Sequence, residues 1–205
     1  NGQQKKPISD LLVGVFFEDI NYAADGGLYA ELIQNRDFEY TPADKEGHDP
    51  DWNSRTAWSL KGNNATFTID SVQPIHPNNP HYAVLKTDRP GASLTNEGFD
   101  GIVLKAGDKY KFSVFARTLE GKNGKLQVHL TGKDGRIYAE GSTGGLSREW
   151  KKLNVTLAAK ENVSDARLEI TPAATGTIAL DMISLFPEKT FRNRPNGLRA
   201  DLAQA

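Results

Sequence analysis

Short segments of alternating apolar and polar residues run through most of the chain. They lie at residues 66–69, 109–117, 125–130, 152–157 and 166–170. A period of two places every second side chain on the same side of an extended backbone, so each segment predicts a strand with one buried and one wet face. In the segment 109–117, Tyr110, Phe112, Val114 and Ala116 are predicted to face the core.

Turn-forming residues separate these segments. Asp134-Gly135 stands between two alternating runs and predicts a hairpin, because this dipeptide accepts the positive φ of a tight turn. Glycine-containing breaks near residues 106–108, 121–124 and 174–176 punctuate the rest of this region. The pattern from about residue 57 to 186 therefore predicts an all-β fold, an antiparallel β-sandwich.

The two ends of the chain carry other patterns. Residues 11–17 are nearly all apolar and predict a strand buried on both faces. Residues 28–34 have helical spacing, with Leu28 and Leu32 on one face. Residues 196–205 predict the start of a helix capped by Asn196, with no stop signal after it. We therefore expect the chain to be a fragment of a longer protein.

Composition narrows the possible functions. The 205 residues include 25 basic and 26 acidic ones and no cysteine. The formal net charge of -1 argues against a duplex nucleic-acid binder, and the lack of cysteine excludes disulfides and zinc–thiolate sites. No apolar run approaches the roughly 20 residues of a membrane-spanning helix.

Two blocks of sequence resemble a known enzyme family. Residues 14–36, which contain Phe17-Glu18-Asp19-Ile20-Asn21 and Gly26-Gly27-Leu28-Tyr29, are similar to the N-terminal signature of the α-L-arabinofuranosidases of glycoside hydrolase family 51. Residues 193–202 resemble the entry to the first barrel helix of these enzymes. The stretch between them, with Asn35-Arg36-Asp37-Phe38-Glu39 at its start, resembles a carbohydrate-binding module of the family 4 and 9 type.

The resemblance implies a domain organisation and a function. Residues 1–35 would be a strand and short helix of the hydrolase core. Residues 36–187 would form a jelly-roll β-sandwich of the galactose-binding-domain-like type, and residues 188–205 would be a linker and a truncated helix. The parent would be a retaining α-L-arabinofuranosidase that releases terminal arabinofuranosyl groups from polysaccharides. Its two catalytic glutamates would belong to a barrel outside this chain, so no catalytic residue is expected here.

The resemblance also implies substrate contacts in the first block. Glu18 occupies the position of a glutamate that binds hydroxyls of the terminal arabinofuranose, a task that suits a carboxylate because charge-assisted hydrogen bonds are strong. Asn21 either lines the same rim or caps a turn with its own side chain.

Aromatic residues are the natural platforms for sugar rings. Trp58, Tyr110 and Trp150 are expected in the core, whereas Trp52 lies in a polar loop and Tyr138 follows the predicted hairpin. Trp52 and Tyr138 are therefore the candidate platforms. A sheet face with exposed rings would favour a sugar binder, and a face of Lys, Thr and Ser without them would favour a spacer.

Modules of the resembled type often hold a structural calcium ion. Glu39 and Asp181 occupy the matching positions, and Asp181 stands in an otherwise apolar strand where an unpaired charge is costly. The alternative is that Asp181 simply points outward.

The expected partners are plant-type arabinose-containing glycans and the barrel domain, with no nucleic acid and no membrane span. The resembled family implies a secreted or periplasmic protein. Residues 1–35 are expected to dock on the sandwich or to pair with a second copy, so an oligomer is possible. The alternative function is a β-sandwich spacer or interaction module that binds no sugar.

Overall fold

The computed structural model describes residues 23–45 and 48–204, which contain eleven strands, five of them at the alternating segments. In chain order the strands are β1 (Trp58–Lys61), β2 (Ala65–Asp70), β3 (Tyr82–Thr87), β4 (Ser93–Asn96), β5 (Ile102–Leu104), β6 (Lys109–Gly121), β7 (Leu126–Thr131), β8 (Ile137–Ser142), β9 (Lys151–Ala158), β10 (Val163–Pro172) and β11 (Gly176–Pro187). A single α-helix, α1 (Ala200–Ala203), and the 3₁₀ turns Pro42–Asp44 and Phe191–Asn193 complete the described elements.

The strands form two antiparallel sheets. One has the order β1-β4-β10-β7-β8, with β5 also pairing with β10, and the other has the order β2-β3-β11-β6-β9. We call them the six-stranded and the five-stranded sheet. They pack as a jelly-roll β-sandwich, so the predicted all-β fold is confirmed.

Alternation places the core between the sheets. Tyr110, Phe112, Val114 and Ala116 of β6 are all buried, as predicted. Leu168 and Ile170 of β10 face them from the six-stranded sheet. The predicted hairpin joins β7 to β8, and Gly135 adopts the positive φ of 82° that its turn requires.

Residues 28–34 do not form the predicted helix. Residues 30–33 instead lie beside the second half of β11, where Leu32 donates a hydrogen bond to the Leu185 carbonyl at 3.0 Å. Further along, the Ile183 N–H bonds to the Arg36 carbonyl at 2.8 Å. Because a short isolated helix is marginal in water, pairing with β11 and burial of Ile33 in the core outweigh the local helical spacing.

The chain enters and leaves the sandwich at one place. Ala30 donates to the Gly197 carbonyl at 3.2 Å and Arg199 donates to the Leu28 carbonyl at 2.9 Å. The C-terminal helix begins after Arg199 as its N-cap, so the predicted cap at Asn196 is wrong. Asn196 instead has a φ of 49° and lies before this pairing.

The predicted strand at residues 11–17 lies outside the described residues. The domain boundaries at residues 35 and 187 stay predictions. No helix in the described ranges is long and apolar enough to cross a membrane.

Candidate functional site

The outer face of the six-stranded sheet is mostly polar, with Val103 of β5 and Ile137 of β8 as exposed apolar residues. Leu94, Leu168 and Leu130 point into the core, so the residues that alternate with them point outward. The registers align these outward side chains across β1, β4, β10, β7 and β8. We call this surface the polar face, and it consists of Ser59, Lys61, Ser93, Thr95, Gln127, His129, Thr131, Glu140, Ser142, Arg167, Glu169 and Thr171.

The centre of the polar face is recessed. Ser93, Thr95, Thr131 and Glu169 are only 5%, 3%, 2% and 6% exposed, although all four point away from the core. Gln127 is exposed and His129 is half-buried beside them. Short outward side chains become inaccessible where longer neighbours surround them, so this face has a floor of hydroxyl groups with a higher rim.

Hydrogen bonds hold the floor in a fixed arrangement. The Ser59 hydroxyl lies 2.6 Å from that of Thr95, and Lys61 Nζ donates to Glu169 Oε1 at 2.7 Å. Thr131 donates to the same oxygen at 2.9 Å. Burial would raise the pKa of Glu169, but the hydrogen bonds from Lys61 and Thr131, with the nearby positive charges, hold it below its usual value. Glu169 is therefore a fixed anion in the floor.

Trp52 lies in the loop before β1. Its ring stacks on Tyr40, with centroids 5.0 Å apart and planes 5° from parallel, and Lys45 Nζ is 5.0 Å from its centroid. Asn35 anchors this loop from below, because its Nδ2 donates to the Ser54 and Thr56 carbonyls at 3.2 and 2.8 Å. Trp52 is half-buried, so part of its ring faces solvent.

Tyr138 lies at the start of β8. It is half-buried against the core, and the Arg136 guanidinium is 5.5 Å from its ring. The pairing row of Trp58, Asn96, Leu168, Leu130 and Ala139 runs from β1 to β8 next to it. Trp52 thus precedes the strand at one edge of the six-stranded sheet, and Tyr138 lies on the strand at the opposite edge. They do not form one continuous platform.

Glu18 and Asn21, the predicted substrate contacts, lie outside the described residues. Their roles stay predictions.

Asp181 is buried, 0% exposed, and points outward from β11. Its Oδ2 accepts a hydrogen bond from Asn79 Nδ2 at 3.0 Å, and its Oδ1 accepts one from the Met182 N–H at 2.7 Å. Burial, with the charges of Asp37 and Glu39, raises its pKa to about 8. Asp181 thus points outward from β11, as the alternative expected, but it is buried and hydrogen-bonded there.

Glu39 has a partner of its own. One oxygen accepts the His81 N–H at 2.7 Å, and the other lies 2.6 Å from His81 Nδ1. In the described part of the chain, no three His, Asp or Glu side chains converge in an arrangement that could hold a metal ion. The predicted pair is nevertheless near each other, because the Glu39 charge acts on Asp181.

The outer face of the five-stranded sheet carries a group that sequence reasoning missed. The Arg117 guanidinium lies 4.8 Å from the Trp150 ring and 5.5 Å from that of Tyr82. Trp150 precedes β9 and packs edge-on against Tyr82, outside the core. The predicted core position of Trp150 is wrong, whereas those of Trp58 and Tyr110 are confirmed. The run Arg148-Glu149-Trp150-Lys151-Lys152, rich in cations, was the available signal.

The sequence of this chain is similar to a known family of domains and to known enzymes. The profile of the family CBM_4_9, described as "Carbohydrate binding domain", matches residues 30–176. An extracellular exo-α-L-arabinofuranosidase of Streptomyces chartreusis is 40% identical over 198 residues, which are 96% of this chain and 22% of that protein. Alpha-L-arabinofuranosidase 1 of Arabidopsis thaliana is 31% identical over 97% of this chain and 30% of its own length.

Two solved structures contain a domain of the same fold. The arabinose-bound α-L-arabinofuranosidase MgGH51 superimposes with a TM-score of 0.78 and 35% identity, over 92% of this chain and 31% of that one. The CBM22-1–GH10 modules of a Clostridium thermocellum xylanase share the fold, with a TM-score of 0.53 and 16% identity, over 78% of this chain and 29% of that one. The chain spans less than a third of the length of each of these proteins.

Proposed function

Because this chain belongs to the carbohydrate binding domain family CBM_4_9, we propose that it binds arabinose-containing polysaccharides and serves as the carbohydrate-binding region of an α-L-arabinofuranosidase. The observation that carries the binding role is the family match over residues 30–176. The outward residues of the polar face include no aromatic ring in the described structure, which by the expectation above favours a spacer, so the stacking platforms of this proposal are Trp52 and Tyr138. The accessible Gln127 and His129 stand beside a hydrogen-bonded floor that is already held in place, so they exchange hydrogen bonds with sugar hydroxyls at little ordering cost.

The glycan lies across the strands in this proposal. Gln127 and His129 contact it from the rim, and Trp52 and Tyr138 receive sugar rings at the two edges of the sheet. Both rings are half-buried, so part of each is accessible, and the Lys45 and Arg136 side chains near them would have to move aside for a sugar ring to stack. A spacer without sugar affinity is the alternative that the binding experiment decides.

We propose that the whole protein is an α-L-arabinofuranosidase. The whole protein would release terminal α-L-arabinofuranosyl groups from plant-type glycans, and both catalytic glutamates would be supplied by a barrel domain. The pairing of residues 28–30 with residues 197–199 supports insertion of the sandwich into a larger enzyme, because entry and exit are adjacent. In that enzyme Glu18 and Asn21 would contact the arabinofuranose. The extracellular relative supports a secreted or periplasmic location.

We also propose a structural calcium ion at Asp181. Calcium prefers carboxylate and carbonyl oxygens, and the buried Asp181 carboxylate has two neighbouring acids and no cationic partner in the described structure. Asp181 would be the central ligand, with Asn79 and Asp37 beside it. Glu39 would contribute only if it exchanged its bonds to His81 for the ion.

Calorimetric titration of the chain with arabinan, arabinoxylan and xylan oligosaccharides tests the binding role. We expect saturable binding that Gln127→Ala with His129→Ala weakens about thirtyfold, since each loses hydrogen bonds of about 1 kcal/mol. Trp52→Ala and Tyr138→Ala test the platforms separately. Thr66→Ala with Thr68→Ala, on exposed outward positions of β2, is the matched control. A folded chain that binds none of these oligosaccharides would leave the spacer function.

A further inference from the structure

We propose a second binding surface for acidic, uronate-containing polysaccharides around Trp150, on the opposite side of the sandwich from the polar face. This surface, the Trp150 cluster, comprises Phe115, Arg117, Arg148, Trp150, Lys151 and Lys152. It goes beyond the neutral-glycan binding proposed above, and either surface can exist without the other.

The two arginines of the cluster form no direct ion pair with the described residues. Arg117 donates to the Val72 carbonyl at 3.0 Å and to Gln73 Oε1 at 3.4 Å. Arg148 donates to the Leu119 and Gly121 carbonyls at 2.7 and 2.9 Å. These acceptors are all uncharged.

The lysines of the cluster are also free of acidic partners. Lys151 and Lys152 are exposed and form no ion pair with the described residues. Of the nearby carboxylates, Glu120 accepts a hydrogen bond from the Thr177 hydroxyl at 3.1 Å, Asp70 lies beside the Tyr82 hydroxyl, and the buried Asp181 is opposite Phe115 in the register. Glu149 is exposed beside Trp150. The exposed charges of the cluster are therefore Arg148, Lys151 and Lys152 against Glu149, which leaves its accessible part positive.

Two aromatic rings stand among these cations in fixed positions. The Trp150 indole donates from Nε1 to the Gln73 carbonyl at 2.9 Å and packs edge-on against Tyr82, with centroids 5.2 Å apart. Phe115 is a half-buried outward residue of β6, and Lys152 Nζ lies 5.8 Å from its ring. The register places Phe115 directly opposite Lys152 on β9. The rings are therefore held before any ligand arrives, which lowers the cost of binding.

The combination of exposed cations and aromatic rings favours a uronate as the ligand. A uronate residue offers a carboxylate to a cation and the C–H face of its ring to an aromatic side chain. A neutral sugar would form no ion pair with the exposed cations, and a simple polyanion would not stack on the rings. Arg117 is only 7% exposed, so it positions the Trp150 and Tyr82 rings and contributes its charge, while Arg148, Lys151 and Lys152 are accessible to carboxylates.

The test is calorimetric titration of the chain with oligogalacturonate at low and high salt. We expect binding that weakens with salt, because exposed charges are screened. Lys151→Gln with Lys152→Gln should weaken it about tenfold, and Phe115→Ala should weaken it by several-fold without changing the thermal midpoint much. Lys122→Gln with Lys125→Gln removes the same charge from the exposed loop between β6 and β7 and should leave binding unchanged.

Three results would overturn the proposal: no binding at low salt, equal weakening in the Lys122/Lys125 control, or binding of polyglutamate as tight as that of oligogalacturonate. Gln127→Ala with His129→Ala, on the other face, should leave oligogalacturonate binding intact. Failure of this surface is thus distinguishable from failure of the polar face.

Discussion

Glu31 accepts a hydrogen bond from the backbone N–H of Leu185 at 2.8 Å, where a paired strand would present a carbonyl. The same oxygen accepts the N–H groups of Leu32 and Ile33 at 3.0 and 3.1 Å, and the other oxygen accepts the Ser184 hydroxyl at 2.5 Å. The carboxylate thus accepts a hydrogen bond from a β11 N–H group that lies beyond the pairing of β11 with β3. It also holds residues 28–36 against the sandwich. Burial raises its pKa to about 6.

We expect this carboxyl group to make the protein more stable at acid pH. Its pKa is higher in the folded state than its ordinary value of 4.5, so its contribution is complete below pH 4.5 and is lost as the pH rises through about 6. The difference is on the order of 2 kcal/mol. Urea unfolding between pH 4.5 and 7 should show this decline, and Glu31→Gln should flatten it. Glu161→Gln, on an exposed pair with Arg136, is the control. An unchanged slope in Glu31→Gln would contradict the assignment.

A calcium ion at Asp181 would change how the stability of the protein depends on pH. Without calcium, the pKa of about 8 means that stability falls as the pH rises from about 4 to 8, because ionised Asp181 is disfavoured in the fold. Adding calcium at pH 8 should raise the melting temperature, since the ion pairs with the ionised form. Asp181→Asn should abolish both effects. A melting temperature that calcium leaves unchanged in the unmodified chain would exclude the ion.

Gly176 is required by the bulge at the start of β11. Its φ is 133°, and an added Cβ would lie 2.4 Å from the Glu120 carbonyl oxygen. We expect Gly176→Ala to lower the free energy of unfolding by about 2–4 kcal/mol, because backbone on both sides must shift. Gly107→Ala has a φ of 80° and open space around the new Cβ, so strain of about 1 kcal/mol is expected there. Equal losses in urea unfolding would show that the close contact is unimportant.

Asn35 holds the loop that carries Trp52. Besides its bonds to the Ser54 and Thr56 carbonyls, its own carbonyl accepts the Trp58 Nε1–H at 2.7 Å. Asn35→Gly keeps the backbone free at φ 49° but removes the side chain, and should cost about 2 kcal/mol. Tryptic cleavage after Arg55 should accelerate as the loop loosens. The exposed Asn123→Gly provides a baseline, and loop cleavage no faster than in that variant would count against the anchoring role.

Much of the sandwich is readable from local pattern. The strand segments at residues 66–69, 109–117 and 152–157 are confirmed. Successive side chains of a strand point to opposite faces of the sheet, so the pattern identifies a strand whichever strands pair with it. The same reasoning placed Trp58 and Tyr110 in the core. It failed for Trp150, which stands just before β9, where alternation no longer assigns a face.

The sequence by itself determined the all-β class, the positions of five strands and the family resemblance, since these depend on residue order and spacing. Only the tertiary structure decided that residues 28–34 pair with β11 and that Glu31 replaces a strand carbonyl. It also brought Asp181 under Asn79 and Arg117 under Trp150. These arrangements join residues far apart in the chain, and their energies come from burial and long-range hydrogen bonds that no local periodicity encodes.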